Sequence, residues 1–251
     1  MRKLLLLLPL AGSLSLSSIA QSNATSVSVE NSLMDLTAIV AGNTDGRTHA
    51  VGSIASFHQK DDTKGSRLLL HDWAKGYVIA NNDSILRNDK AGFNYDKISH
   101  ILYFTPDKQT VVEIEKTAFK GFIFTEPDGE HYFIKVDAIK PDVFFELVGG
   151  DGSTAHINAY KLTKTQFKKA DYHTDGMVES GNNYDEYVDT KEYYIVMPGG
   201  KEVQTVELKK KSIRTALSSQ KAKVEEYFSQ HKASDINENF LADLISYINK
   251  S

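Results

Sequence analysis

The side chains with the most chemical potential per unit length lie in two polar stretches of the sequence. The first, DYHTDGMVESG, puts Asp171, His173, Asp175, Gly176 and Glu179 at positions 1, 3, 5, 6 and 9 of a twelve-residue calcium loop. Oxygen donors at alternate positions, bent around a glycine, can wrap a hard cation. The twelfth position holds Asn182, where a bidentate Glu should close the shell, and His173 is a nitrogen donor among oxygens. No flanking helix pattern accompanies the loop, so Asp171, Asp175 and Glu179 are metal-ligand candidates that lack part of the motif.

The second stretch, GFNYDKISHILYF, packs Asn94, Tyr95, Asp96 and His100 just ahead of an apolar run. It reads either as a polar ligand site or as a loop entering a strand, because Asn and Asp favour turns by bonding their own backbone. In a strand from Ile98 to Phe104, His100 shares a face with Ile98, Leu102 and Phe104, the setting of a hydrogen-bonded core histidine. Upstream, HDWAKGYV carries His71, Asp72 and the only tryptophan, Trp73. An exposed Trp would be a stacking platform for a sugar or aromatic ligand; a Trp beside a strand start is more often buried. Trp73, Tyr95, Asp96 and His100 are thus the ligand-binding candidates, with Tyr95 and Asp96 expected to fix the loop before the strand.

No residue is singled out as catalytic and no cofactor is expected. The eight histidines, at 49, 58, 71, 100, 131, 156, 173 and 231, form neither His-x-His nor His-Glu-x-x-His. There is no Gly-x-Ser-x-Gly elbow, P-loop or GxGxxG. Gly149-Gly150-Asp151-Gly152 is a turn, since a second strand rather than a helix follows it. Glu113 and Glu115 alternate with Val112 and Ile114 as a solvated strand face, although an acid pair of glycosidase type depends on geometry that spacing alone does not give. The chain has no cysteine, which excludes thiol catalysis and Cys-ligated metals.

The elements that must position these residues begin after a leader. Arg2 and Lys3 precede the apolar run Leu4 to Leu10, and Ser18-Ile19-Ala20 supplies small residues for a peptidase, so residues 1–20 read as a secretory signal peptide. Without Arg2 and Lys3 the chain has 27 basic against 33 acidic residues, a net charge of −6 that disfavours nucleic acid as a partner. No apolar stretch reaches the length of a transmembrane helix. A periplasmic or extracellular location follows, and export without cysteine suits a bacterial envelope protein. Residues 21–64 form a polar lead-in with one helical spacing at Leu33, Leu36, Ile39 and Val40. Residues 65–208 carry strand-length runs rich in Val, Ile, Phe and Tyr, cut by Pro, Gly and Asn clusters. These predict a mainly β fold, an antiparallel sandwich or partly open barrel. The stretch 166–191 breaks the pattern as a long polar loop. Residues 209–251 turn helical: Ser212 and Ser218 or Ser219 are candidate caps, and Phe240, Leu241, Leu244, Ile245 and Ile248 make one apolar stripe that must bury on the sheet.

The stretch KGSRLLLHDWAKGYVIANNDSILRNDKAGFNYDKISHILYF resembles a group of exported proteins of Bacteroidetes-type bacteria, and the resemblance spans most of 65–251. The shared residues are Gly65, Ser66, Leu69, Trp73, Lys75, Gly76, Val78, Asn94, Tyr95 and Asp96, with KKKSIRTAL and a final DLISYIN helix at the end. Ala91-Gly92-Phe93 departs from the group, which has an aliphatic residue there. The resemblance implies a secreted or periplasmic β-rich protein with a helical tail, and it supplies no activity. The expected function is a non-enzymatic β-rich module of the cell envelope that binds an unknown protein or small ligand. Two alternatives stay open: a hydrolase with a dispersed carboxylate and histidine site, which needs a concave pocket collecting them, and a small-ligand carrier, which needs an enclosed apolar cavity.

Overall fold

The computed structural model describes residues 62–106, 108 and 111–250. The expected leader and the helical spacing at Leu33 to Val40 lie outside the described residues.

The apolar runs become antiparallel strands, as β-branched and aromatic residues bounded by turn formers should. In chain order they are β1 (Lys75–Ala80), β2 (Ile85–Arg87), β3 (Gly92–Asp96), β4 (Ile101–Thr105), β5 (Val112–Ile114), β6 (Phe119–Glu126) and β7 (Gly129–Val136). Then come β8 (Lys140–Gly149), β9 (Asn158–Lys168), β10 (His173–Asp175), β11 (Val178–Ser180), β12 (Glu186–Val196) and β13 (Val203–Val206). Three helices end the chain, α1 (Lys210–Ala216), α2 (Lys221–Gln230) and α3 (Glu238–Lys250). Eight strands form one sheet in the order β13-β12-β9-β8-β7-β6-β1-β2, and β3, β4 and β5 form a separate three-stranded sheet. The long sheet stays open, ending on the edge strands β13 and β2.

Side chains alternate along a strand, so each strand of the long sheet serves two faces. One face carries two apolar cores, each with its own cover. Around β1, β6, β7 and β8, Val78, Phe122, Phe124, Phe133 and Phe144 meet Phe93, Tyr95, Leu102, Phe104 and Ile114 of the small sheet. The rings interlock: Phe122 stacks on Phe133 at 4.8 Å, and Tyr95 meets Phe144 edge-on at 6.2 Å. Around β9, β12 and β13, Ala159, Tyr193, Ile195 and Val206 lie beneath Ile213, Val224, Phe228 and the α3 stripe. Gly149 lets α3 lie directly on β8, because a Cβ there would come within 2.9 Å of the Ala242 Cα. The opposite face has a smaller cluster around Phe145, Tyr160 and Leu162.

Asn237 starts α3, its Oδ1 accepting from the Phe240 amide at 2.9 Å. The helix starts expected at Ser212 and at Ser218 or Ser219 differ. Ser212 lies inside α1, where its Oγ accepts from the Glu207 amide at 2.9 Å, and Ser218 and Ser219 belong to a 3-10 turn ahead of α2. Two further differences matter for the site. GFNYD is itself a buried strand, β3, and residues 97–100 are the turn into β4, with His100 at φ +56°. The polar stretch 166–191 is largely paired: β9 and β12 run together from Lys168 to Asn158, and the hairpin β10–β11 projects from their end.

Leu244, in the apolar stripe of α3, is fully buried, whereas Ile85 on edge strand β2 is 54% exposed. Leu244→Ala is expected to cost about 3 kcal/mol, and Ile85→Ala less than about 0.5 kcal/mol. Urea unfolding midpoints of the two variants check this, with an unchanged denaturant slope confirming that both fold alike.

Candidate functional site

Between its two covers, the packed face of the long sheet carries charge. Glu146 on β8 stands directly opposite Lys161 on β9, which in turn pairs with Tyr193 on β12. Lys161 Nζ lies 2.8 Å from Glu146 Oε2 and 2.9 Å from Glu238 Oε2, the first residue of α3. Glu238 also accepts from the Tyr193 hydroxyl at 2.7 Å and from Lys191 Nζ at 3.1 Å. Burial works against the charged Glu238, but these three donors outweigh it and hold its pKa down to about 2. The helix N-terminus favours the same charge. Burial likewise disfavours the Lys161 ammonium, yet the Glu146 and Glu238 carboxylates hold its pKa above the usual lysine value. The Tyr193 phenol is pushed up, first by burial and then by the Glu238 charge it donates to.

His131 extends this chain of charges toward the β6–β7 turn. It pairs with Phe124 across the hairpin, and its ring lies between carboxylates on both sides. Nδ1 is 3.0 Å from Glu146 Oε1, while Nε2 is 3.2 Å from Asp128 Oδ1 and 3.9 Å from Glu126 Oε2. Burial lowers the imidazole pKa, but the bonds to Glu146 and Asp128 outweigh it and leave the group above the usual histidine value. A cleft of about 270 Å³ opens over these residues. Phe124 and Phe133 line its base, Leu69 and Leu70 one wall, and Glu126, His131, Glu146, Lys161, Thr163, Asp189 and Lys191 the rest.

The apolar wall is held by the stretch that sequence reading singled out. Residues 66–74 run beside β3, with the Leu69 amide on Tyr95 O at 2.8 Å and the Ala74 amide on Phe93 O at 3.0 Å. Asn94, buried in β3, grips the same segment through its side chain, accepting from the Leu70 amide at 3.1 Å and donating to Leu70 O at 2.9 Å. Asp96 has no exposed surface; Oδ2 takes the Arg67 Nε at 2.8 Å, and Oδ1 takes the amides of Ile98 at 2.8 Å and Ser99 at 3.1 Å. The adjacent Lys97, also buried, reaches across to Asp189 on β12 at 2.6 Å.

Of the ligand candidates, Tyr95 and Asp96 are therefore buried structural groups. Tyr95 sits among Phe122, Phe133 and Phe144, its hydroxyl 3.1 Å from His100 Nδ1, and burial pushes its pKa up. His100 is half-buried, its pKa lowered by burial and then by the nearby Lys116 and Lys140. Trp73 is half-buried against Gly92, where a Cβ would meet the Trp73 Cβ at 2.6 Å. None of the four lines the cleft. His71 pairs with Asp72 in full exposure, 3.3 Å apart. In the hairpin β10–β11, register puts Glu179 opposite Thr174, on the other face from His173 and Asp175. Asp171 Oδ1 is taken by the Asn182 amide at 2.8 Å. The calcium-loop candidates Asp171, Asp175 and Glu179 do not converge; among the described residues, the three-donor cluster is Glu126, Asp128 and His131.

Sequence reading passed over His131, Glu146, Lys161 and Glu238, which lie on four different elements. One signal was available: in TEPDGEH a two-residue turn at Pro127-Asp128 sets Glu126 opposite Gly129 and Phe124 opposite His131, so Glu126 and His131 share a face. A second cavity, of about 240 Å³, lies on the opposite face among Ile134, Tyr160, Val196 and Met197, and a third, of about 300 Å³, at the sheet edge beside Tyr77 and Arg87. Neither collects a network of buried charge. No protein-family model, curated protein or solved structure matches the chain.

Two expected outcomes follow from this geometry. Asp96→Ala withdraws the acceptor of two turn amides and of the Arg67 guanidinium, and is expected to cost about 3 kcal/mol in thermal or urea unfolding; an unchanged stability would show that Asp96 is not structural. Glu238 has a folded pKa of about 2 against 4.5 for the free group, so its contribution is present above pH 4.5 and is lost as pH falls toward 2. Glu238→Gln is expected to flatten the stability profile across that window, which unfolding measured at stepped pH reads directly.

Proposed function

We propose that the protein is an exported, non-enzymatic binding module of the bacterial cell envelope, and that the cleft on its covered sheet face takes a small hydroxyl-rich ligand such as a saccharide. The observation that carries this reading is the cleft's mixed lining: donors Lys161, Lys191 and Thr163 and acceptors Glu126, Glu146 and Asp189 surround apolar Leu69, Leu70, Phe124 and Phe133. A sugar offers alternating hydroxyls and an apolar C–H face, and such a lining answers both. The volume, about 270 Å³, is near the lower end for small-molecule sites. Most of the charges are fixed by partners before a ligand arrives, so little ordering is left for binding to drive. The leader at residues 1–20 and the resemblance to exported proteins support the location.

His131 between Glu146 and Asp128, with Glu126 beside it, favours a second reading, a hydrolase using these groups for proton transfer. Saturation-transfer NMR of the purified protein against a panel of mono- and disaccharides tests the first. At least one sugar is expected to bind, with Lys191→Met weakening it about tenfold. Binding that ignores this exposed substitution, or no binding across the panel, would overturn the saccharide assignment. Cleavage of a bound disaccharide during the same experiment would select the hydrolase.

A further inference from the structure

We propose that Glu126, Asp128 and His131 form a zinc site at the rim of the cleft, with Glu146 as the positioning carboxylate behind the histidine. This goes beyond the ligand reading and does not depend on it.

The hairpin builds the site. Glu126 faces Gly129 across the Pro127–Asp128 turn and Phe124 faces His131, so Glu126 and His131 project to one side with Asp128 at the tip. One donor atom from each of the three lies within 4.8 Å of the others. Zinc at about 2.0–2.1 Å from each ligand separates tetrahedral donors by about 3.3 Å. His131 Nε2 to Asp128 Oδ1 is already 3.2 Å, and Nε2 to Glu126 Oε2 is 3.9 Å, about 0.6 Å longer than that separation.

The second observation lies outside the three donors. Glu146 Oε1 stands 3.0 Å from His131 Nδ1, and the same carboxylate is anchored by Lys161 at 2.8 Å. A carboxylate accepting from Nδ1–H fixes the tautomer whose lone pair is on Nε2, the arrangement that backs metal-bound histidines in general. In that tautomer the Nε2 lone pair faces Asp128 and Glu126, and either a proton on Nε2 or one divalent cation satisfies all three groups. A nitrogen donor with two carboxylates suits zinc better than calcium or magnesium, which prefer all-oxygen shells. Three protein ligands leave a coordination position open, and Glu126 and His131 also line the cleft, so that position would be available to a cleft ligand.

Isothermal titration of the EDTA-stripped protein with zinc chloride alone, with native mass spectrometry for stoichiometry, tests the site. The expected result is one zinc per chain. His131→Ala and Asp128→Asn are expected to weaken it at least about tenfold, and Glu146→Gln by about 10- to 100-fold. Asp151→Asn, which alters the separate Asp151–His156 pair at 2.7 Å, is expected to leave zinc affinity unchanged. Asp128 is on an exposed turn, so its variant remains informative if melting curves show that His131→Ala or Glu146→Gln fails to fold. No zinc retained, a preference for calcium, or equal binding by Asp128→Asn and the parent would each overturn the proposal, leaving His131 as a protonated clamp between carboxylates.

Discussion

One buried ammonium group joins the two halves of the covered sheet face. Lys161 is held at 2.8 Å by Glu146 on the neighbouring strand and at 2.9 Å by Glu238 at the start of α3. Taking such a charge out of water costs several kcal/mol per ion, and only close opposite charges with further hydrogen bonds offset it. The two carboxylates, with Tyr193 and Lys191 completing Glu238, meet that condition. The contact ties the helical cover to the sheet at a defined place. It also interrupts the apolar face, which is why the packed side divides into two cores with a polar seam between them.

The two cores are closed by different means. The helical cover is an amphipathic stripe laid on the sheet, brought close by Gly149. The small sheet instead interleaves aromatic rings with those of β6, β7 and β8. Its outer side would expose the backbone of β3, and residues 66–74 pair with that edge. Asn94 and Asp96 are buried because they complete this pairing, one as a side-chain imitation of a backbone partner, the other as anchor for Arg67 and the turn. Leu69 and Leu70 reach the cleft as a consequence.

The cleft is therefore bounded by packing on one side and by charge on the other. Its ionic groups, with Asp128 and Glu238 beside it, form a nearly continuous chain, from Asp128 through His131, Glu146 and Lys161 to Glu238 and Lys191. Groups restrained in this way present fixed dipoles to whatever enters, as recognition and catalysis both require.

Local chemistry in the sequence determined the antiparallel β architecture, most strand positions and the helical tail. Turn formers such as Pro127-Asp128-Gly129 and Pro198-Gly199-Gly200, and the stripe Phe240 to Ile248, act over a few residues and need no distant partner. GFNYD read as a loop because Gly, Asn and Asp are poor strand formers, and it is a strand because their polar groups are satisfied by residues 66–74. Tyr95 and Asp96 were expected to fix the loop before the strand; that Arg67 and His100 are their side-chain partners was not legible. The site itself was decided by tertiary structure. Glu146 and Lys161 become neighbours only through the register of β8 on β9, and Glu238 joins them only when α3 docks. Charges far apart in the chain leave no periodicity behind, so their meeting depends on long-range packing rather than on any local pattern.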